Sequence, residues 1–456
     1  HRLTEGFIQV DAHCLDTLVR LPTTNSVTSR GGEFNTMDQA RRNLYVLWLG
    51  TFLAACSFSL VMPFLPRFIA ELGVTANLYT WSGVIYSVTF FSSSIMSPIW
   101  GSLADRYGRK PMLIRAGVAI SCVYLLMSFV TTHVQLFWLR LRNGAFSGFI
   151  PSAIALVATN TPEDRVGRYL AILQTGMATG TVLGPLLGGT LAELIGIRWT
   201  MRVAAVLVFF AIVLVIFMVQ EKIIGAGKAR TSVVSDLRLA LSNRRLLALR
   251  VAALVIQAAL QSLQPILSNF IPTLTQEGWV TTFTRLLFGE GDAADFIVGF
   301  VFSLPAIATV LTAARWSRLG DRIGFARLLS LGLVAAGLLL LPQSLVQTVG
   351  WLMLLRFVFG IATAAVQPSV NAALAEVVHP SFRGRAYGIN TSAHNLGSVL
   401  GPSLSGWVAD AFGPRAVFVV TGVMMLFASA WVQRMLVHRR PDEPLVGAPE
   451  GELAGG

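Results

Sequence analysis

The stretch that decides the fold is Gly101-Ser102-Leu103-Ala104-Asp105-Arg106-Tyr107-Gly108-Arg109-Lys110, which directly follows a long apolar run. A related stretch, Ser317-Arg318-Leu319-Gly320-Asp321-Arg322-Ile323-Gly324, follows a second apolar run much later in the chain. Aligning Asp105 with Asp321 gives an offset of 321 − 105 = 216 residues. One such match by itself is not enough to establish a repeat.

Three further landmarks repeat at nearly the same spacing. They are Arg140 with Gly144 and Arg356 with Gly360 at 216 residues, Gly184-Pro185 and Gly401-Pro402 at 217, and Pro162 and Pro380 at 218. An offset that agrees within two residues across four landmarks is typical of an internal duplication. The sequence therefore predicts two halves in tandem.

Composition places both halves in a membrane. Of 456 residues, 54% are hydrophobic and only 13% are charged, and the mean hydropathy is +0.65. Soluble proteins carry about a quarter charged residues, so most of this surface cannot face water. The net charge of +12 does not indicate a nucleic-acid binder, because the basic residues lie between apolar runs. With three cysteines, the chain is not a disulfide scaffold either.

A bilayer core takes roughly 20 apolar residues as a helix. That length predicts an all-α integral membrane protein with twelve transmembrane helices, arranged as two pseudo-symmetric six-helix bundles. The predicted spans are 44–66, 78–100, 112–131, 134–159, 169–195, 200–220, 247–272, 294–314, 327–345, 347–375, 386–410 and 416–436.

The Lys and Arg residues between these spans concentrate in one alternate set of loops. The opposite set holds only Arg67, Arg198, Arg202, Arg285 and Arg415. Because cytoplasmic loops carry the excess of positive charge, both termini are predicted to be cytoplasmic. The predicted organisation is an upstream extension at 1–36, a first half at 37–220, a cytoplasmic linker at 221–246, a second half at 247–438 and a loose tail at 439–456.

In these motifs the chain resembles the major facilitator superfamily, specifically the twelve-span drug/proton antiporters of bacterial multidrug efflux. The 101–110 loop matches the superfamily signature in full, and Arg140 with Gly144 matches its fourth-span motif. Pro63-Phe64-Leu65-Pro66 resembles the Pro-x-x-Pro signature of the twelve-span drug antiporters, and Leu60-Val61-Met62-Pro63 with Trp81-Ser82-Gly83 is close to the enterobacterial multidrug-resistance subgroup. The resemblance covers residues 38–438, and it implies transport by alternating access in the inner membrane.

The resemblance implies that the loop after span 2 is a conformational latch. A carboxylate in a tight turn can pair with a cation or with the positive end of a neighbouring helix and so favour one packing of the halves. The simpler alternative is that the glycines only form turns and that the cations only reflect the excess of Lys and Arg in cytoplasmic loops. The predicted latch residues are Gly101, Asp105, Arg106, Gly108, Arg109, Lys110, Asp321 and Arg322.

The fifth span carries the predicted antiporter motif Gly176, Gly180, Gly184, Pro185, Gly188 and Gly189. Glycines four residues apart share one helix face and let another backbone approach closely. A proline within the helix frees a backbone acceptor and permits a bend.

Charges inside apolar spans are costly and usually functional. Arg140, Arg142 and Arg356 are the predicted intramembrane cations, although Arg142 could instead extend to the membrane surface. Span 1 lacks the carboxylate that several drug antiporters carry there, so the titratable candidates for proton coupling are Asp105, Glu376 and His394. A lone histidine is also common in helix packing.

Polar and aromatic residues within apolar helices predict the substrate cavity. Gln257, Gln261 and Gln264 share one helix face, and hydrogen bonding between helices is an equally good explanation for each of them. The other candidates are Tyr86, Phe90, Phe91, Gln174 and Asn395. Fixed arginines without an opposing carboxylate predict neutral, zwitterionic or anionic cargo rather than permanent cations.

No catalytic or nucleotide-binding motif is present, and Cys14, Cys56 and Cys122 form no metal-ligand set. The predicted function is therefore not enzymatic. The resemblance implies proton-driven export of drug-like molecules, which we expect of a monomer without a cofactor, metal or nucleic-acid partner. A proton-coupled uptake symporter and a dedicated exporter of a siderophore-like metabolite are the alternatives within transporters. A channel is disfavoured by the duplication.

Overall fold

The computed structural model describes residues 31–162, 164–221, 244–289, 293–378 and 383–437. The predictions for the extension, linker and tail fall mostly outside these residues. The chain divides into two compact units at Arg41, and only the first turns of the helix Gly31–Val61 are described in the earlier unit. The architecture given below is that of the unit that starts at Arg42.

The described residues of the first half form six long helical segments, numbered here as spans. Span 1 comprises Gly31–Val61, a 3₁₀ turn at Met62–Phe64 and Leu65–Glu71. Span 4 is broken near Gly148 into His133–Ala145 and Phe149–Asn160. The others are continuous: span 2, Leu78–Tyr107; span 3, Arg109–Met127; span 5, Val166–Ile195; and span 6, Ile197–Met218.

Six corresponding segments form the second half. Span 7 comprises Arg244–Ser262, Gln264–Phe270 and a 3₁₀ turn at Ile271–Thr273, and span 10 comprises Val349–Thr363 and Val366–Val377. The others are span 8, Ala294–Ile323; span 9, Phe325–Gln343; span 11, Arg383–Phe412; and span 12, Pro414–Val432. The described part of the chain contains no β-strand.

The backbone repeats the duplication found in the sequence. Spans 2 and 8 begin and end 216 residues apart, since 294 − 78 and 323 − 107 both equal 216. Glycines with positive φ terminate both helices, Gly108 at +97° and Gly324 at +87°. A side chain is strained in this conformation, so glycine is favoured at each of these turns.

Ten of the described helical segments are long and apolar enough to cross a membrane. Spans 2 and 11 are as long but more polar, and they pack against each other across the two halves. Ser87 of span 2 donates to the Val399 carbonyl at 2.6 Å and accepts from Ser403 at 2.8 Å. Their hydroxyls thus bond to the other helix, which explains why a polar sequence is tolerated here.

The ends of the spans define two faces of the bundle. The loop face carries residues 107–109, 160–162, 164–166 and 323–325, and the far face carries residues 71–78, 195–197, 273–289, 293–294 and 412–414. Several hydrogen bonds join the halves at the far face or near mid-span.

One helix at the far face was not predicted, Gly278–Phe288 between spans 7 and 8. Glu277, which precedes it, accepts a 2.9 Å hydrogen bond from the Gly350 N–H at the start of span 10. Partial burial opposes ionisation of Glu277, but the hydrogen bonds donated to the carboxylate outweigh it and hold its pKa below the ordinary value. The helix is thereby tied to span 10.

Candidate functional site

A cavity of about 520 Å³ lies mainly among spans 2, 3 and 4 of the first half, with Phe58 of span 1 and Asn395 of span 11 also in its wall. Its volume suits a drug-sized ligand. Trp100, Gly101, Asp105 and Arg109 line the end toward the loop face. The deeper wall combines aromatic rings with hydroxyl and amide groups, namely Phe58, Thr89, Phe90, Ser93, Ser97, Tyr124, Asn143 and Ser147.

The predicted cavity residues separate into two groups. Phe90 and Asn395 line the cavity, whereas Tyr86 is buried and its hydroxyl donates to the Met62 carbonyl of span 1. Phe91 is 51% exposed, and Gln174 is exposed on span 5. Sequence reasoning missed the hydroxyl wall, although the serines at positions 93 and 97 were visible as polar residues in an apolar helix.

The span 7 glutamines do not line this cavity. Gln257 is buried, donates to the Ser398 hydroxyl at 3.0 Å and accepts from Gln367 at 3.3 Å. Gln257 therefore connects spans 7, 10 and 11, which agrees with the alternative explanation of hydrogen bonding between helices. Gln261 and Gln264 are half-buried on the same span.

The glycine motif of span 5 provides the contact with span 1. A Cβ on Gly180 would lie 2.5 Å from the Phe52 carbonyl oxygen, and one on Gly184 would lie 2.5 Å from Ser59. Gly176 and Gly188 face span 1 in the same way, and Pro185 lies inside the helix. Gly189 faces span 8 instead, and a Cβ there would lie 2.7 Å from the Asp295 carbonyl oxygen.

In the predicted latch, the Asp105 carboxylate forms a salt bridge within its own loop. Its side chain is 66% exposed, and its carboxylate lies 3.5 Å from Arg109 one helical turn later. Arg109 also donates to the Ala155 carbonyl of span 4 at 2.6 Å. Arg106 and the second-half pair Asp321 and Arg322 are exposed at the same face. Among the residues that the structure describes, the first-half latch residues form no hydrogen bond or salt bridge with the second half.

Arg109 and Lys110, which end the loop, instead connect spans within the first half. Lys110 donates to the Ile216 and Val219 carbonyls at the end of span 6, at 3.0 and 2.7 Å. Glu221 accepts from the Arg109 and Lys110 N–H groups at 2.6 and 2.9 Å. A cation at a helix C-terminus and an anion at a helix N-terminus both complement the helix dipole. Glu221 was missed because its partners are 111 and 112 residues away.

The intramembrane arginines differ in their surroundings. Arg140 is fully buried; one Nη contacts the Met62 sulfur at 3.3 Å, while its Nε and other Nη have no hydrogen-bond partner. Arg356, 5% exposed, lies 5.4 Å from the Phe359 ring centroid. Arg142 is exposed at the surface of span 4.

The remaining titratable candidates for proton coupling are His394 and Glu376. His394 is half-buried on span 11, next to the cavity residue Asn395. Glu376 is exposed near the end of span 10. Among the residues that the structure describes, no group of three or more His, Cys, Asp or Glu is arranged to hold a metal ion.

At the far face, an ion pair that the sequence did not reveal joins the halves. Arg67 at the end of span 1 contacts Asp295 at the start of span 8, with Nη1 and Oδ1 2.5 Å apart. Asp410 at the end of span 11 accepts hydrogen bonds from the Tyr79 and Thr80 N–H groups of span 2, at 3.3 and 2.7 Å. The bundle is thus closed at the far face, while its cavity extends toward the loop face.

The comparison with protein families matches residues 47–289 and 289–454 to the Major Facilitator Superfamily. The chain belongs to this superfamily. Over 403 residues it is 40% identical to the Multidrug resistance protein MdtG of Salmonella typhimurium, and this alignment covers 88% of the chain and 96% of the relative. The Salmonella dublin protein of the same name is equally similar. The family expected from the motifs is confirmed.

Solved structures of the superfamily share the fold at low sequence identity. The nucleoside transporter NupG matches with a TM-score of 0.73 and 16% identity over 87% of this chain and 100% of that chain. A bacterial homologue of the human lysosomal transporter Spinster matches with a TM-score of 0.71 and 14% identity over 90% and 97%. The all-α membrane fold with two halves is confirmed. The relatives are transporters, so the prediction that this superfamily member is not an enzyme is confirmed as well, and the chain is a secondary transporter.

Proposed function

We propose that this transporter exports amphipathic, drug-like molecules in exchange for protons by alternating access, acting as a monomer in the bacterial inner membrane. In this proposal the loop face and both termini are cytoplasmic. The name of the Salmonella relatives, Multidrug resistance protein MdtG, supports drug-like cargo. The excess of Lys and Arg in the loops at the loop face supports the orientation.

The observation that carries the proposal is the asymmetry of the bundle. The cavity extends from the hydroxyl wall at mid-span to Asp105 at the loop face. At the far face the halves are joined by Arg67 and Asp295, and the backbones of spans 5 and 8 touch at Gly189. This is the arrangement expected of a state that loads cargo from one side only.

Asp105 is exposed, as expected if the loop face is open and takes up cargo. In the state that opens to the far face, we expect the loop face to close and Asp105 to pair with the second half. Loss of that carboxylate would remove a contact made in one state only, and so shift the balance between the two states.

Buried Arg140 and Arg356 support the cargo class. Neither guanidinium forms a salt bridge with a carboxylate among the described residues. Uncompensated positive charge in a low-dielectric interior repels permanent cations. The cavity is therefore proposed to accept neutral, zwitterionic or anionic amphiphiles.

The test is drug efflux from cells that lack their own pumps, with and without a protonophore. Asp105→Asn is expected to slow efflux roughly tenfold, the effect of about 1.4 kcal/mol of bias between states. Asp164→Asn removes another exposed carboxylate at the loop face and serves as the matched control. In energised vesicles, an anionic amphiphile should be transported faster than ethidium.

Each outcome bears on a different part of the proposal. Efflux that the protonophore abolishes supports proton-driven export. Accumulation in place of efflux would reverse the direction and support the uptake symporter instead. Strong ethidium transport would contradict the cargo class.

A further inference from the structure

The Arg67–Asp295 pair lies where the two halves meet at the far face. The residues are 228 positions apart in the chain, and their side chains are 29% and 14% exposed. An ion pair that is partly removed from water is stronger and less screened by salt than one on the open surface. It is therefore able to hold two helices from different halves together.

The backbone around Asp295 is packed closely against span 5. The Asp295 N–H donates to Glu193 of span 5 at 3.0 Å, and the Asp295 carbonyl lies against Gly189. One face of span 8 thus touches span 5 while its first turn is bound to span 1. Separation of the halves at the far face must break the ion pair.

The charges that face Asp295 come from two spans. Span 1 contributes Arg67 and Glu71, span 5 contributes Glu193, and Arg198 of span 6 lies close enough to act on Glu71. From the helix between spans 7 and 8, the groups packed on this turn are aromatic, with the Phe288 and Phe296 ring centroids 4.9 Å apart. The cluster therefore holds three carboxylates against two guanidinium groups.

We propose that Arg67 and Asp295 form the gate of the far face, and that protonation of Asp295 releases it. The inference rests on the alternating access of the proposed function. While Asp295 is ionised, Arg67 and the N-terminus of span 8 both stabilise its charge and the gate stays closed. A neutral carboxyl group loses the attraction to Arg67. The excess negative charge of the cluster attracts protons from the solution at that face.

The sign of the pH effect follows directly. The gate is closed above the pH at which Asp295 takes up a proton, and it opens as the solution at the far face becomes more acidic. We expect the open fraction to rise on the order of fivefold between pH 8 and pH 5, the effect of losing one partly exposed ion pair.

The experiment measures distances between spin labels in lipid nanodiscs at pH 8 and pH 5. The labels are placed on Ile195→Cys and Thr273→Cys at the far face, after replacement of Cys14, Cys56 and Cys122. A second pair, Arg168→Cys and Ser317→Cys, reports the loop face. Acid should lengthen the far-face distance and shorten the loop-face distance.

Four variants test the assignment to this ion pair. Asp295→Asn should open the far face at both pH values, whereas Asp295→Glu should keep the pH dependence. The exchange Arg67→Asp with Asp295→Arg should restore closure at pH 8. Asp410→Asn is the matched control, because Asp410 also joins the halves at this face but accepts only backbone N–H groups. It should keep the pH dependence.

A pH response that survives in Asp295→Asn, or is lost in Asp410→Asn alone, would overturn the gate. These distances are measured without transport, so the gate can be tested independently of the proposed function. If the unmodified protein exports drug but the distance between the far-face labels is the same at pH 8 and pH 5, the gate is wrong and the proposed function stands. If the far face opens on acidification but no efflux occurs, the proposed function is wrong and the gate stands.

Discussion

At the scale of single residues, the same kind of position has different neighbours in the two halves. Gly108 and Gly324 both have positive φ at the turn that ends spans 2 and 8. A Cβ on Gly108 would lie 2.9 Å from the Glu221 carboxylate, whereas a Cβ on Gly324 would have none of the described residues within 4 Å. The duplication thus supplies an internal control for the role of Glu221.

Gly324→Ala should cost about 1 kcal/mol, the strain of a side chain at positive φ. Gly108→Ala should cost more, because it also displaces Glu221 from the N-terminus of span 3. The measurement is the thermal unfolding midpoint of each purified variant in detergent. Equal losses would show that the Glu221 contact adds nothing to stability.

At the scale of helices, the glycine motif makes span 5 a flat surface for span 1. Because Gly180 faces the backbone of Phe52 and Cys56 rather than flexible side chains, no small movement of a neighbour can make room for a larger residue. The proline that follows lies in the same helix, so packing and bending are combined in one element.

Gly180→Ala should therefore force spans 1 and 5 apart and destabilise the protein by about 1–3 kcal/mol, as overpacking does. Efflux should fall with it. Leu187→Ala, on the same span at a position 43% exposed, is the control. The thermal midpoint and the efflux rate are measured together. A stable, active Gly180→Ala would contradict the close packing.

At the scale of the whole molecule, span 2 extends from the open side of the bundle to the closed side. Ser93 of span 2 lines the cavity, whereas Ser82, nearer the far face of the same span, is fully buried. The accessibility of these two positions therefore reports which face is open.

In a background without native cysteines, Ser93→Cys should react with a membrane-impermeant maleimide in inside-out vesicles. Ser82→Cys should not react, since it is buried at the closed end. The measurement is the labelled fraction after a short exposure, repeated in right-side-out vesicles. Faster labelling of Ser93→Cys in right-side-out vesicles would contradict the proposed orientation.

The sequence by itself determined the class of protein, the duplication and the family. Hydropathy, helix length and short motifs are local properties, so the spans and the 216-residue repeat could be predicted without a partner for any residue. Even the positive-φ glycines that end spans 2 and 8 were visible within the two aligned motifs.

Only the tertiary structure decided which side chains meet. Arg67 and Asp295, or Lys110 and the end of span 6, are separated by more than a hundred residues, and no local pattern links them. The glutamines of span 7 share one helix face, but which neighbour that face contacts depends on how the helices pack. Such contacts depend on the relative positions of spans from distant parts of the chain, which apolar periodicity leaves open.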